Sequence, residues 1–243
     1  MVRINKFLAQ CNLGSRRKVE ELILTGKVKL NGKTITSLST EIDPAKDIVE
    51  FDDQKIQSSR KKIYIMLNKP KQYLVTASDD FARKTVFELL PDFKEHIFPV
   101  GRLDYLSEGL LVLTNDGEFS EKIIHPKNKL PKLYKVACKG FISNESIKKL
   151  RTGIEINKYR TKPAKVFIKN RNQNTTTLKI TISEGKKRQI RYMIKAIGSE
   201  VLELKRLQIG DVLLGKLPKG EWRFLKAKEV SSLLTYNETR KEK

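Results

Sequence analysis

The chain has 243 residues, 39% of them hydrophobic, enough for one sizeable core plus a small module, so a globular protein is expected. Fifty Lys and Arg against 28 Asp and Glu give a formal net charge of +22, a surface that attracts polyanions, and nucleic acid is the leading partner. No long apolar segment occurs, and Met1-Val2-Arg3-Ile4-Asn5-Lys6 lacks the apolar stretch and cleavage pattern of a signal peptide, which argues against a membrane protein and for a cytoplasmic one. Two cysteines, Cys11 and Cys138, without Cys-x-x-Cys spacing, and two histidines, His96 and His125, argue against a zinc site and for thiols that serve as small packing groups.

In chain order, Ile4, Phe7 and Leu8 have helical spacing, and Ser15 can cap a second helix whose Val19, Leu22 and Ile23 form an apolar stripe. Val28 and Leu30 alternate with Lys27 and Lys29, Asn31-Gly32 supplies a turn that tolerates positive φ, and Thr34-Ile35-Thr36 returns as a hairpin. Residues 1–50 thus read as a small α/β module, and the polar stretch that follows reads as a linker over 51–62. A second domain is expected over 63–236. There Ile63, Ile65 and Leu67 alternate as a strand, and Val86, Phe87, Leu89 and Leu90 suggest a short helix ending at Pro91. Thr175 to Ser183 alternates with Leu178, Ile180 and Ile182 toward the core. Arg188 to Ile197 changes to helical period, with Ile190, Met193, Ile194 and Ile197 on one face and Gly198 placed to stop the helix. Val201 to Leu204 resumes as a strand, and Trp222 with Phe224 reads as core. This irregular order favours an α+β domain over a doubly wound one. Residues 237–243 read as a disordered basic tail.

Two constellations carry chemistry. At the N-terminus, Gly14-Ser15-Arg16-Arg17-Lys18 precedes Thr25-Gly26-Lys27-Val28-Lys29-Leu30-Asn31-Gly32-Lys33. Cations therefore cluster at one helix start and along one hairpin, which suits phosphate contacts that position a protein without reading bases. The segment from Arg3 to Glu50 resembles the RNA-binding domain of the ribosomal-protein S-four type, which implies a structured-RNA partner held by Arg16, Arg17, Lys18, Lys27, Lys29 and Lys33. The second constellation is Gly101-Arg102-Leu103-Asp104-Tyr105, a lone carboxylate beside an arginine, followed by the apolar run Gly109-Leu110-Leu111-Val112-Leu113 and the turn Asn115-Asp116-Gly117. A surface loop in which Arg102 pairs with Asp104 would account for these residues alone. The longer run from Pro99 to Glu118, however, resembles the catalytic motif of the RsuA/RluB family of ribosomal RNA pseudouridine synthases. Further blocks agree in the family order: Leu67-Asn68-Lys69-Pro70, Lys132-Leu133-Tyr134-Lys135-Val136, Ser183 to Met193, and Leu204-Lys205-Arg206 before Gly210.

The resemblance implies an α+β catalytic domain with a mixed, largely antiparallel sheet flanked by helices. Its reaction would convert one uridine of ribosomal RNA to pseudouridine without cofactor or metal. The bond from ribose to the base nitrogen breaks, the base turns, and ribose joins C5, so nothing is oxidised. Asp104 is then the essential carboxylate, either nucleophile at the anomeric carbon or base on the sugar, and Arg191 the cation that counters its desolvation. A flipped uracil loses its stacking, and Tyr134 would replace it, at about 1–3 kcal/mol per base, and help remove the C5 proton. Arg102 fills or braces the space vacated in the RNA, Leu204 walls the uracil pocket, Lys69 is assigned to RNA or active-site support, and Lys187, Arg188 and Arg206 are assigned to RNA. His125 stays outside the catalytic set. The chain departs from the family where Lys69-Pro70-Lys71-Gln72 replaces Lys-Pro-x-Gly, so this loop cannot rely on a glycine for positive φ. Lys162-Pro163-Ala164-Lys165-Val166 tilts the substrate toward large-subunit rather than small-subunit RNA. The partner is ribosomal RNA or a ribosome assembly intermediate, met by a monomer. The rivals are a non-catalytic RNA-binding or ribosome-assembly protein and a glycosidase that releases free base.

Overall fold

The computed structural model describes residues 1–58, 61–77, 79–157 and 159–236, so the expected tail at 237–243 lies outside the described residues. The chain divides into two compact units, one of Met1–Ile63 with Asp92–Phe98, the other of Tyr64–Pro91 with Pro99 onward.

The first unit packs the helices Ile4–Gln10 and Arg16–Leu24 with a four-stranded antiparallel sheet ordered Lys33–Ile35, Val28–Leu30, Val49–Phe51, Gln54–Lys55. Ser15 caps the second helix by accepting from the Lys18 amide at 3.3 Å. The hairpin turn has Asn31 at φ 50° and Gly32 at φ 78°, as an Asn-Gly type I′ turn requires. Ile4, Phe7, Leu8, Val19, Ile23, Val28, Ile42 and Val49 form its core. Burial of each such side chain stabilises by about 1.5–3 kcal/mol. The first part of the linker expected over 51–62 is a hairpin instead. Asp52 and Asp53, at φ 45° and 62°, make a tight turn, and Gln54–Lys55 pairs back on Glu50 and Phe51. The Ile56 amide donates to Val49 O at 3.0 Å, while its side chain packs on the core. Low apolar content concealed a hairpin because aspartate tolerates the left-handed conformation and two-residue strands need few apolar residues.

The second unit is built on a nine-stranded sheet whose main path runs Lys165–Arg171, Thr175–Ile182, Lys132–Lys139, Val201–Ile209, Glu108–Thr114, Tyr64–Lys69, Trp222–Phe224. Along this path Glu108–Thr114 and Val201–Ile209 pair in parallel, and the other pairs are antiparallel. The apolar run at 109–113 is therefore a central strand buried on both faces. Alternation at Ile63, Ile65 and Leu67 suggested one covered face, but Met66, Asn68 and Lys69 are buried as well, because the strand lies inside the sheet. Trp222, expected in the core, sits half-buried on the edge strand, edge-on to an exposed Phe224 with ring centroids 5.3 Å apart.

Helices pack on this sheet. Gly117–Ile124 replaces the expected turn at 115–117: Asp116 is its N-cap, accepting from the Glu118 and Phe119 amides at 3.1 and 3.3 Å. Its Phe119 and Ile123 join Met66, Leu110, Val112 and Leu233, the last from the helix Ala227–Leu234, in one core. Asn144–Thr152 packs on the strand Lys165–Arg171, and Gln189–Ala196 on Val201–Ile209. The latter helix buries Ile190, Met193 and Ile194 and stops before Gly198 at φ 80°, as its spacing predicts. Val86–Leu89 is a short 3-10 turn. Among the described residues no helix is long and apolar enough to cross a membrane.

Gly109 admits no side chain. Gly109 has φ +104°, and a Cβ there would meet the Arg206 carbonyl oxygen at 2.2 Å and its amide nitrogen at 2.8 Å, across the parallel pair Arg206↔Gly109. Gly109→Ala is expected to destabilise by more than about 2 kcal/mol, combining a disfavoured φ with a backbone clash. Denaturant unfolding of the variant measures this; a decrease under about 0.5 kcal/mol, the scale of a neutral surface change, would contradict the close approach.

Candidate active site

The strand Tyr64–Lys69 ends with a fully buried lysine. Lys69 Nζ donates to the carbonyls of Pro70 (2.9 Å), Ser107 (2.9 Å), Asp104 (3.3 Å) and Tyr105 (3.5 Å). The Ser107 amide closes the turn onto Asp104 O at 2.9 Å, and the Gln72 amide donates to Tyr105 O at 2.8 Å. The turn from Asp104 to Ser107 is thus anchored from below by an ammonium and from the side by an amide. Burial lowers the Lys69 pKa to about 8, against the opposing charges of Asp104 and Glu108. Of the two roles expected for Lys69, the RNA contact is corrected and the supporting one fits: its ammonium is enclosed by carbonyls beneath the loop that carries Asp104. Gln72 adopts φ +65° without a glycine, at a cost of about 1–2 kcal/mol.

Above this loop lies a cleft of about 770 Å³ lined by Asp104, Tyr134, Leu204, Arg206, Arg102 and residues 183–190, among others. Sheet register explains the grouping. Tyr134 lies directly opposite Arg206, and Val136 opposite Leu204, so Tyr134, Leu204 and Arg206 share one face. Asp104 is half-buried on the wall. Arg191, also half-buried, donates to Leu106 O at 3.3 Å and Val201 O at 3.4 Å. Burial lowers its pKa, Arg188 adds to that, and the charge of Asp104 opposes it, so Asp104 is felt by Arg191 and by Lys69. The three residues expected to act together, Asp104, Tyr134 and Arg191, are therefore gathered around one site, two on the cleft surface and one beside it. Arg102 is exposed at the rim and makes no ion pair with Asp104 among the described residues, so the plain surface-loop pairing does not form.

The other cations divide. Lys187 and Arg188 are exposed on the rim. Arg206, expected to bind RNA, is only 3% exposed, with Nε donating to Leu110 O at 2.7 Å, and lines the cleft rather than its exposed rim. On the first unit Arg16, Arg17, Lys18 and Lys33 are exposed. Lys18 pairs with Glu21 at 3.0 Å, Lys27 with Asp52 at 3.9 Å, and Lys29 with Asp53. Sequence reasoning missed Lys132, Arg160, Lys162 and Lys186, which also line the cleft. Lys132 was within reach: it stands two residues before Tyr134 on a strand, hence on the same face. Its Nζ donates to Leu130 O at 3.0 Å, and burial, with Arg206 nearby, lowers its pKa to about 8. Glu184 shapes the rim, accepting from the Lys162 amide at 3.0 Å and from Gln189 Nε2. His125 lines the cleft, its Nδ1 accepting from the Lys127 amide at 3.2 Å. Among the described residues no group of three or more His, Cys, Asp or Glu converges as metal ligands would.

A carboxylate and a tyrosine on one cation-rimmed cleft, in a mixed α+β domain, define an enzyme suited to a polyanionic substrate. The family follows from comparison with known proteins. Residues 63–196 match the model of RNA pseudouridylate synthases and residues 2–49 that of the S4 domain, and the chain belongs to the RNA pseudouridine synthase family. It is 45% identical to an "Uncharacterized RNA pseudouridine synthase" of Aquifex aeolicus (strain VF5), over 96% of this chain and 93% of the relative. It is 40% identical to "Ribosomal large subunit pseudouridine synthase B" of Bacillus subtilis (strain 168), over 96% of both chains. A solved structure described as "Crystal structure of pseudouridylate synthase" matches with a TM-score of 0.70 at 32% identity, covering 96% of this chain and all (100%) of the other.

The buried ammonium has a thermodynamic signature. Its folded pKa, about 8, lies below its unfolded value of 10.5, so between these the unfolded chain holds more protons and stability rises with pH. Relative to Lys69→Met, the wild type should gain unfolding free energy as pH increases from about 8 toward 10.5. Denaturant unfolding of both proteins across that window checks it, and a difference independent of pH would contradict the depressed pKa.

Proposed function

We propose that this enzyme isomerises a uridine of large-subunit ribosomal RNA to pseudouridine, acting as a cytoplasmic monomer on ribosomal RNA or an assembly intermediate. The observation that carries the mechanism is the meeting of Asp104, Tyr134 and Leu204 in one cleft. The target nucleotide leaves its stack at a cost of a few kcal/mol, and its base lies against Tyr134 with Leu204 as an apolar wall. The Asp104 carboxylate reaches the ribose, either attacking C1′ or removing a proton from the sugar, and the C1′–N1 bond breaks with its electron pair left on the base. The base turns, C5 bonds to C1′ as the Asp104–C1′ bond breaks or as the proton held by Asp104 returns to the sugar, the C5 proton departs with help from the Tyr134 hydroxyl, and N1 takes up a proton. Arg191 holds a positive charge beside Asp104 and, through Leu106 O, braces its loop. Arg102 fills the gap left in the RNA, while Lys187 and Arg188 take phosphates at the rim. The choice of large-subunit RNA is supported by the similarity to the B. subtilis enzyme named for that substrate.

Asp104→Asn nearly preserves size and removes the charge. RNA affinity is expected to stay while pseudouridine formation falls by more than about 10³-fold, the scale seen when a reacting group is removed. Pseudouridine mapping of ribosomal RNA, from cells with the wild type, the variant or neither, tests activity and address together, and undiminished modification by the variant would remove Asp104 from its role.

The exposed arginines at the start of the helix Arg16–Leu24 offer a separate test. Arg16→Gln with Arg17→Gln should weaken RNA binding and lower the slope of log affinity against log salt, by about 0.9 for each duplex phosphate no longer neutralised or about 0.7 for each on single strands. Binding titrations at several salt concentrations read this directly. An unchanged slope would show that these side chains make no ionic contact with RNA.

A further inference from the structure

We propose that Arg206 is a further catalytic residue, whose Nη2 donates a hydrogen bond to a carbonyl oxygen of the flipped uracil and stabilises the negative charge the base gains when its bond to ribose breaks. The inference rests on the uridine-isomerase reading of the cleft and deepens it by naming the group that meets the base.

Arg206 is 3% exposed, yet it lines the cleft. Its Nε is occupied by Leu110 O at 2.7 Å, which fixes the guanidinium, whereas Nη2 is buried with no acceptor among the described residues. Leaving a buried donor of a charged group unmatched costs upward of about 1–3 kcal/mol, and folded proteins rarely retain such a group without a use for it. Register fixes where this donor stands. Arg206 is directly opposite Tyr134 in the antiparallel pair, which puts the two Cβ atoms about 4.5–5.5 Å apart on one face. A base stacked on the Tyr134 ring therefore lies beside the guanidinium. Lys132 brings a second cation to the same face, with Nζ bound to Leu130 O at 3.0 Å. The exposed Lys187 and Arg188 suit phosphate; a guanidinium in the floor suits the part of the substrate that enters deepest, which is the base.

The chemistry gives this donor work to do. When C1′–N1 breaks, the electron pair stays with the base and is shared among N1, O2 and O4, while an Asp104 oxygen bonds C1′ or Asp104 takes a proton from the sugar. A cationic N–H on O2 or O4 strengthens as that charge develops, so it lowers the barrier more than it tightens ground-state binding. Once C5 has bonded to C1′, with the Asp104–C1′ bond broken or the sugar proton returned from Asp104, departure of the C5 proton and protonation of N1 leave the base neutral, and the hydrogen bond weakens before release.

The test uses the full-length protein and large-subunit ribosomal RNA from cells lacking it. Arg206→Met should lower single-turnover pseudouridine formation by about 10²–10³-fold, as removal of one transition-state donor does, and Arg206→Lys by less. RNA dissociation constants should stay within about twofold, because the missing hydrogen bond acts in the transition state. Turnover by Arg206→Met equal to that of the wild type overturns the proposal, as does a decrease accounted for wholly by weaker RNA binding. Should thermal unfolding show that the variants do not fold, transcripts carrying 2-thiouridine or 4-thiouridine at the target probe the same bond from the substrate side with wild-type enzyme, since sulfur accepts weakly. One of the two should slow the reaction at least about tenfold, one good hydrogen bond's worth, and no slowing from either overturns the assignment. Wild-type enzyme that leaves unmodified RNA unchanged would instead strike the functional reading and take this inference with it.

Discussion

The arrangement depends on a buried ammonium. An unpaired charge taken out of water costs several kcal/mol, and Lys69 offsets part of that cost by donating to carbonyls around it, the remainder showing in its lowered pKa. Three of those carbonyls belong to residues 104, 105 and 107, so neutralising the burial problem of one side chain also fixes the backbone that carries Asp104. Because the anchor is beneath the loop, the cleft above stays open to substrate. Preorganisation of this kind matters more than affinity, since a carboxylate that had to find its place during the reaction would lose much of its effect.

The sheet supplies the rest of the geometry. One parallel pairing, between Glu108–Thr114 and Val201–Ile209, joins segments that are about a hundred residues apart in sequence, and Gly109 lets the two backbones meet where any side chain would collide. Antiparallel pairing of Val201–Ile209 with Lys132–Lys139 then sets Leu204 and Arg206 beside Tyr134. Packing and chemistry share the same residues here. The Nε of Arg206 ties two strands together through Leu110 O while the residue also lines the cleft.

Charge has two different uses in this chain. In the cleft, cations are ordered by depth: Lys69 enclosed, Arg206 and Lys132 in the floor, Lys187 and Arg188 at the rim. On the first unit, Lys27 and Lys29 are already partnered by Asp52 and Asp53. Exposed pairs of this kind contribute little to stability, so a phosphate can exchange with the carboxylate at small cost.

Local patterns are legible in the chain itself. The Ser15 cap, the Asn31-Gly32 turn, the alternation from Thr175 to Ser183 and the helix ending before Gly198 each involve residues within a few positions of one another, so composition and spacing suffice to read them. The hairpin at 50–55 and the helix capped by Asp116 escaped because short polar strands and an Asp-Gly pair look like ordinary loops until their partners are known. From the residues alone come the strongly basic surface, the helix and strand periods, and the blocks that resemble a family of RNA-modifying enzymes. The burial of Lys69 and Arg206 and the edge position of Trp222 emerge only when the strands are assembled. Burial and facing depend on strand order and register, which arise from contacts between segments far apart in the chain and leave no local trace in any one of them.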